Sequence, residues 1–319
     1  LGISMMLLTG DRSQILSIRY KVFAKLIYQR ISLRLFLNQS ADQHAFTPNL
    51  RIEDALLCAE VTIEYSLEFQ QPLWLMSMDM RKAFDTISHA ALFEALERHG
   101  VESGYISLLK LLYRNQIGQA NGSRTFPIRR GVRQGDVLSA ILFNCVLDIA
   151  FESWKSRLDT HGLYWAYGLE RLTNTRYADD ILLYAKSLNE LQSMAELLIE
   201  ELQLVGLHLN ASKTKILRSD MIHEKNTNVD VIDISSEMVD IFKKIEFHRY
   251  LGRRLSIDAD LRLNKEFLHR KQQARYIFEK YKKCIVNQHN TLQRRLHYFG
   301  EVTHDISQPR EDTLLVQLA

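Results

Sequence analysis

The run Leu73-Trp74-Leu75-Met76-Ser77-Met78 carries no charge and ends on a carboxylate, Asp79. Its length and apolarity read as a buried central strand. An acid at the end of such a strand is costly to bury unless it meets a partner, since even neutral polar groups cost about 2–7 kcal/mol when left unsatisfied. Further along, Tyr177-Ala178-Asp179-Asp180 lies between Thr175-Arg176 and the apolar run Ile181-Leu182-Leu183-Tyr184. This pattern reads as two strands joined by a tight turn that pushes both carboxylates out of the sheet. If the Asp79 strand and this hairpin are neighbours, three acids share one corner of one sheet. Like charges so close call for a cation between them, and hard oxygen ligands suit Mg²⁺ or Mn²⁺. Two plainer readings stand beside this one: Asp79 caps the following turn, and Asp179-Asp180 is an ordinary surface pair.

The stretches around these acids carry a family resemblance. Asp79-Met80-Arg81-Lys82-Ala83-Phe84-Asp85 resembles motif A of reverse transcriptases, and Gly131-Val132-Arg133-Gln134-Gly135-Asp136-Val137-Leu138-Ser139 resembles motif B. Tyr177-Ala178-Asp179-Asp180 resembles motif C, Gly206-Leu207-His208-Leu209-Asn210-Ala211-Ser212-Lys213-Thr214 motif D, and Tyr250-Leu251-Gly252 motif E. The form of motifs A and B is most similar to the non-LTR (LINE-type) retrotransposon branch. The resemblance runs over roughly residues 15–300. It implies an α+β right-hand polymerase with an antiparallel palm sheet backed by helices. Residues 1–72 would be partial fingers and 73–255 the palm, with finger or insert segments around 101–130 and 220–240. Residues 256–302 would be a thumb-like helical segment and 303–319 a tail.

The function implied is RNA-directed DNA synthesis: a nucleotidyltransferase joining dNTPs to a DNA primer on an RNA template. Two ions, Mg²⁺ or Mn²⁺, would be held by Asp79, Asp179 and Asp180. Phe84 stands at the family's steric gate, where a ring rejects the ribose 2′-hydroxyl; plain core packing is its other reading. Gln134 and Gly135 would contact the nucleotide, a glycine there letting backbone approach closely. Lys213 is the matched candidate for proton donation to pyrophosphate, or else a solvated lysine. Gln43-His44-Ala45-Phe46 with Arg51 resembles the family's Gln-x-Gly-Phe segment and its nearby arginine, Arg51 facing the nucleotide. Ala45 replaces the usual glycine, and Asp136 replaces a residue that is often apolar.

The net charge is only +3, but its distribution is uneven. Lys243 to Lys283 holds 13 Lys and Arg against 5 Asp and Glu, a net +8. Such a segment either grips a phosphate backbone or presents a solvated face. Cys58, Cys145 and Cys284 show no zinc spacing, and their scattered, odd number argues against a disulfide framework and implies an intracellular, reduced compartment, nucleus or cytoplasm being undecided. No apolar run approaches the ~18 residues of a membrane helix, so no membrane partner is expected. The start at Leu1 reads as a fragment.

Helical spacing predicts helices from Ser17 to Leu37, after a cap at Asn49, after Ser88 to a stop at Gly100, over Ile106–Tyr113, through motif B, and from a Ser187–Glu190 capping box to Gly206. His89 is read as structural. Asn121-Gly122 signals a hairpin. Asp220 to Asp240 reads as an irregular insertion. Leu263, Phe267, Ala274, Phe278 and Tyr281 suggest a helix of a thumb.

Other classes remain open at this point. A retroelement relic that binds RNA without polymerising fits the apparent truncation before the first fingers strands and the lack of a recognisable endonuclease or zinc knuckle. The intact acids oppose it. A group II intron-type maturase is a further alternative, although Arg133 stands where that branch has Pro. An RNA polymerase with the same palm is opposed by Phe84. Oligomeric state is not legible.

Overall fold

The computed structural model describes residues 5–8, 14–15, 18–114, 116–120, 126–133, 135–164, 171–219, 231–235, 237–242, 247–287 and 290–298. The chain falls into two compact units: residues 1–216 with 231–240, and residues 217–230 with 241–319.

In the first unit, strands β1 (Met5–Leu8) and β2 (Gln14–Ile15) precede helices α1 (Ile18–Asn38) and α2 (Ile52–Glu68). Then come β3 (Trp74–Met78), the short helix α3 (Ala83–Thr86), α4 (His89–Arg98) and α5 (Ser103–Tyr113). Strands β4 (Gln116–Ala120) and β5 (Phe126–Ile128) lead to α6 (Val137–Ser156), and β6 (Asn174–Tyr177) and β7 (Asp180–Ala185) to α7 (Leu188–Leu204). Strands β8 (Lys215–Arg218), β9 (Val231–Ile234) and β10 (Glu237–Phe242) follow.

The main sheet has the order β6-β7-β3-β8-β10-β9. All five residues of β3 are buried, as a central strand covered on both faces requires. Helix α7 packs on β3 and β7, α2 on β6, and α6 against α1, α4 and α7. The Trp154 indole N–H donates to the Met194 carbonyl at 2.9 Å, pinning α6 to α7. Thirteen of the 20 residues of α6 are buried. By length and composition α6 could cross a membrane, contrary to the expectation that no run would reach that measure; it is the core helix of this unit. A second sheet has the order β2-β1-β4-β5, with β1 parallel to β4.

Several expectations are corrected here. Strands β9 and β10 form an antiparallel extension of the main sheet within the stretch read as an irregular insertion. Ile232 and Ile234 point inward while Val231 and Asp233 face out, so the period of two was present in a polar context. Residues 220–230 and the Asn121-Gly122 turn lie outside the described residues. The cap of α2 is Arg51, whose N–H donates to the Asp54 carboxylate at 2.6 Å, and Asn49 instead takes φ 66°. At the Ser187 cap, Oγ accepts from Glu190 N–H, but the Glu190 carboxylate accepts from Lys186 and Gly162 rather than closing the box.

In the second unit, β11 (His248–Tyr250) and β12 (Arg253–Leu255) form a hairpin. Its two turn residues, Leu251 (φ 47°) and Gly252 (φ 76°), have the positive φ pair of a type I′ turn. A π-helical turn over Asp260–Lys265 runs into α8 (Glu266–Val286). Of α8's residues only Glu266 and Ile277 are buried, and Leu263 and Phe267 are more than half exposed. The helix that their spacing suggested is present, and its apolar side is largely open.

Candidate active site

Strand register brings the acids together. In the antiparallel pair β3/β7, Met78 lies opposite Ile181, so the next step of the register sets Asp79 against Asp180. In β6/β7, Tyr177 lies opposite Asp180, which leaves Ala178 and Asp179 as a two-residue turn. Opposed residues of an antiparallel pair have Cα atoms about 4.5–5.5 Å apart. All three acids are half-buried. Ala178 has φ 56°, and Asp179 is not among the residues with positive φ, the sign pattern of a type II′ turn that ordinarily carries glycine at its first position. A left-handed alanine costs about 1–3 kcal/mol and persists only where its surroundings enforce it.

Those surroundings are specific. The fully buried Gln43 accepts from the Ala178 N–H at 2.9 Å through Oε1, and its Nε2 donates to the Ala178 carbonyl at 3.5 Å. The same Oε1 accepts from the Ala45 N–H at 3.0 Å, and Asn144 Nδ2 donates to the Ala45 carbonyl at 2.9 Å. The left-handed residue of this segment is Phe46 (φ 57°), and Ala45 makes its bonds without the glycine geometry. One residue before the turn, Tyr177 follows Arg176, which is fully buried against Asp148 (3.0 Å) and over the Phe151 ring (4.2 Å). Asp42, with its carbonyl accepting from the Arg176 N–H at 2.8 Å, ties the other side.

Asp79 is held from motif D. Asn210 Nδ2 donates to Asp79 Oδ2 at 2.8 Å, Asn210 N–H donates to the Asp79 carbonyl at 2.8 Å, and Asp79 N–H donates to Thr214 Oγ1 at 3.3 Å. Motif B closes on the same stretch: Val132 N–H donates to the Phe84 carbonyl and Gly131 N–H to the Ile87 carbonyl, at 2.7 and 2.8 Å. Two glycines make this possible. At Gly131 (φ +84°) a Cβ would meet Asp85 backbone at 2.7 Å, and at Gly206 (φ +90°) it would meet the Thr86 carbonyl at 2.7 Å. No side chain fits between motif A and its neighbours at either position.

Phe84 is half-buried and stacks on the buried Phe143 of α6, with centroids 4.4 Å apart and planes 17° apart. Gly135 (φ +79°) has open space about it, and Gln134 lies outside the described residues. Asp136 departs from the family pattern, and the fold gives it work: it caps α6 at Leu138 N–H (3.1 Å) and accepts from the Tyr20 hydroxyl. The Arg133 guanidinium lies over the Tyr20 ring at 4.3 Å. Burial pushes the Tyr20 hydroxyl pKa well up, the Arg133 charge opposing it and the Asp136 charge adding to it. His89, read from the sequence as structural, bonds the Gly131 carbonyl through Nε2 at 3.0 Å. Burial pulls the His89 pKa down, and the Arg133 charge lowers it further against that bond. Lys213 is exposed in the turn before β8, and Arg51 is exposed at the α2 cap. The three cysteines are free, and burial raises the Cys58 and Cys145 thiols.

The donor chemistry of Asp79, Asp179 and Asp180 fits a hard divalent cation, and backbone register sets them at one edge. Their side chains are not gathered as a three-ligand cage: among the described residues no three His, Cys, Asp or Glu groups converge so.

Residues 10–286 match the family described as "Reverse transcriptase (RNA-dependent DNA polymerase)". The chain belongs to that family. Among its relatives is the Pol polyprotein of the retrotransposable element R2DM of Drosophila melanogaster, 30% identical over 182 residues, or 56% of this chain and 17% of that protein. The R2 element Pol polyprotein of Popillia japonica is 28% identical over 240 residues, covering 73% of this chain and 33% of that protein. The transposon TX1 149 kDa protein of Xenopus laevis is 27% identical over 248 residues, covering 76% and 18%. The chain thus spans a third or less of the length of these non-LTR relatives. The solved apo telomerase of Candida tropicalis shares the fold at a TM-score of 0.51 and 14% identity, over 90% of this chain and 50% of that one. The α+β right-hand polymerase expected from the motifs is this fold.

Three residues that place the site escaped the motif reading as functional positions: Gln43, Asn210 and Tyr20. Gln43 and Asn210 lie inside quoted motifs, but their partners are 135 and 131 residues away.

Proposed function

We propose that this chain carries the polymerase step of a non-LTR-type element: template-directed DNA synthesis from RNA. The observation that carries the reading is the register that sets Asp79 opposite Asp180 beside the Ala178-Asp179 turn. In the reaction a primer 3′-hydroxyl, losing its proton to solvent, attacks the α-phosphorus of a dNTP. The bond to the β-phosphate oxygen breaks, and pyrophosphate leaves. Asp79, Asp179 and Asp180 would hold Mg²⁺ or Mn²⁺, two ions in all, which when bound activate the attacking oxygen and neutralise the leaving one.

The chain's own residues do the rest. Asn210 and the motif D backbone fix the Asp79 strand end. Phe84, backed by Phe143, presents a ring toward the sugar and excludes a 2′-oxygen. Gln134 and Gly135 line the nucleotide, Arg51 assists it, and Lys213 gives a proton to pyrophosphate. The basic second unit grips the primer–template backbone. An RNA template, a DNA primer and dNTPs are thus the partners, with synthesis inside the cell.

The test is primer extension on an RNA template, with Asp179→Asn in parallel. Extension by the parent, lost in the variant while RNA binding persists, supports the reading. Variant activity within tenfold of the parent sinks it.

A further inference from the structure

The Gln43 side chain brackets the peptide unit of one residue, Ala178, from both ends, and it does so from another part of the chain. That residue holds a backbone conformation alanine disfavours, directly before Asp179. Gln43 is itself fixed: Oε1 also accepts from Ala45 N–H, His44 N–H donates to the Arg176 carbonyl at 2.8 Å, and the Ala45 carbonyl is tied to Asn144 of α6. The bracket is fully buried, so water cannot take over its bonds. If the bracket is lost, Ala178 relaxes toward negative φ. The peptide that carries Asp179 then turns with it, away from the edge shared with Asp79.

We infer that Gln43 is a positioning residue for the metal-binding turn, holding Ala178 left-handed so that Asp179 and Asp180 stay in register with Asp79. This rests on the proposed function above only in naming the cation as the turn's ligand. A loop-to-turn tether serving folding alone would make a different prediction, because glycine adopts positive φ without help. Ala178→Gly would then do nothing for a chain lacking Gln43. If the bracket instead serves the turn, Ala178→Gly replaces it.

The experiment uses the full chain with Gln43→Met, which keeps side-chain volume and removes the polar atoms, alone and combined with Ala178→Gly. Mn²⁺ binding is read by electron paramagnetic resonance, beside melting temperature and primer extension. Gln43→Met is expected to weaken Mn²⁺ binding at least fivefold and slow extension at least tenfold. Adding Ala178→Gly is expected to recover at least half of the Mn²⁺ affinity, and Ala178→Gly alone to bind as the parent does. Parent-like Mn²⁺ binding in Gln43→Met overturns the inference. So does a double variant no better than Gln43→Met, whether that variant is folded or not. A parent that binds Mn²⁺ but extends no primer fails the polymerase reading and leaves this one standing.

Discussion

The strand ends that carry the three acids and helix α8 are built on opposite plans. At the strand ends, backbone and amide bonds tie the segments together: Asp79 to Asn210, Phe84 to Val132, Ala178 to Gln43. On α8, 21 residues long, only Glu266 and Ile277 are buried, and Arg270, Lys271 and Arg275 stand on the surface. The first plan sets a few oxygens to a fraction of an ångström, as attack on a phosphorus atom requires. The second spreads charge along a rod, which suits a polyanion whose phosphates need counter-charge but no fixed geometry. Loss of one group should therefore be catastrophic in the first region and graded in the second.

The largest effect is expected at the acids. Asp79→Asn should reduce single-turnover extension by about 10³-fold or more, on the scale of losing a reactant's electrostatic clamp. Filter binding of RNA should change less than threefold. A mild loss of extension would remove the contrast between the two regions.

Phe84 comes next. Phe84→Ala should raise the ratio of ribo- to deoxynucleotide incorporation by about 10–100-fold, equivalent to roughly 1.4–2.7 kcal/mol. The stack on Phe143 supplies the competing explanation, because losing an aromatic pair costs about 0.5–1.5 kcal/mol of packing. If the ring only fills space, both activities fall together, the melting temperature drops, and the ratio stays put.

The basic helix should respond by degrees. Replacing Arg270, Lys271 and Arg275 by Ala should lower the slope of log affinity for primer–template against log salt by about 2–3, near 0.9 per phosphate contact. Extension at saturating primer–template should stay within about threefold. Arg270 also pairs with Glu266 at 2.6 Å, so part of its charge is already engaged, and its share of the slope should be the smallest of the three. An unchanged slope would make α8 a solvated face.

The acid region was largely legible before folding. An uncharged run ending in Asp79 and a strand–turn–strand pattern around Asp179-Asp180 are local signals, and two strands of one sheet can meet only in register. Gln43's role was not legible, because nothing local distinguishes a bracketing amide from any other glutamine. Its partner is 135 residues away. Strands β9 and β10 were hidden by their charge, since Asp233 and Asp240 mask an alternation carried by three inward isoleucines, Ile232, Ile234 and Ile241, and Val239. On α8 the spacing located a helix but not its surroundings. Leu263 and Phe267, two of the residues that signalled it, are largely exposed. Periodicity tells which residues share a side of a helix, and says nothing of whether anything lies against it.

A smaller prediction concerns His89. Its folded pKa lies below the ordinary 6.5, mainly through burial and then through the Arg133 charge. The unfolded chain therefore binds the proton first as pH falls, so this group's contribution to stability is present above about pH 6.5 and is lost below it. His89→Gln should flatten the fall in melting temperature between pH 7 and 5 by no more than about 2–4 °C. An unaltered acid limb would show that His89 is not the group that titrates there.

The claim that Asp79 and the Asp179-Asp180 turn form a single cation site can be read without any polymerase assay. Fe²⁺ with ascorbate and peroxide, used in place of Mg²⁺, cuts a chain beside the bound ion. Cleavage is expected at two places only, close to residue 79 and close to residues 179–180. Added Mg²⁺ should suppress both cuts with one midpoint, and Asp79→Asn should abolish both. Cleavage at only one of the two places, or two cuts that yield to Mg²⁺ at different concentrations, would contradict a shared site.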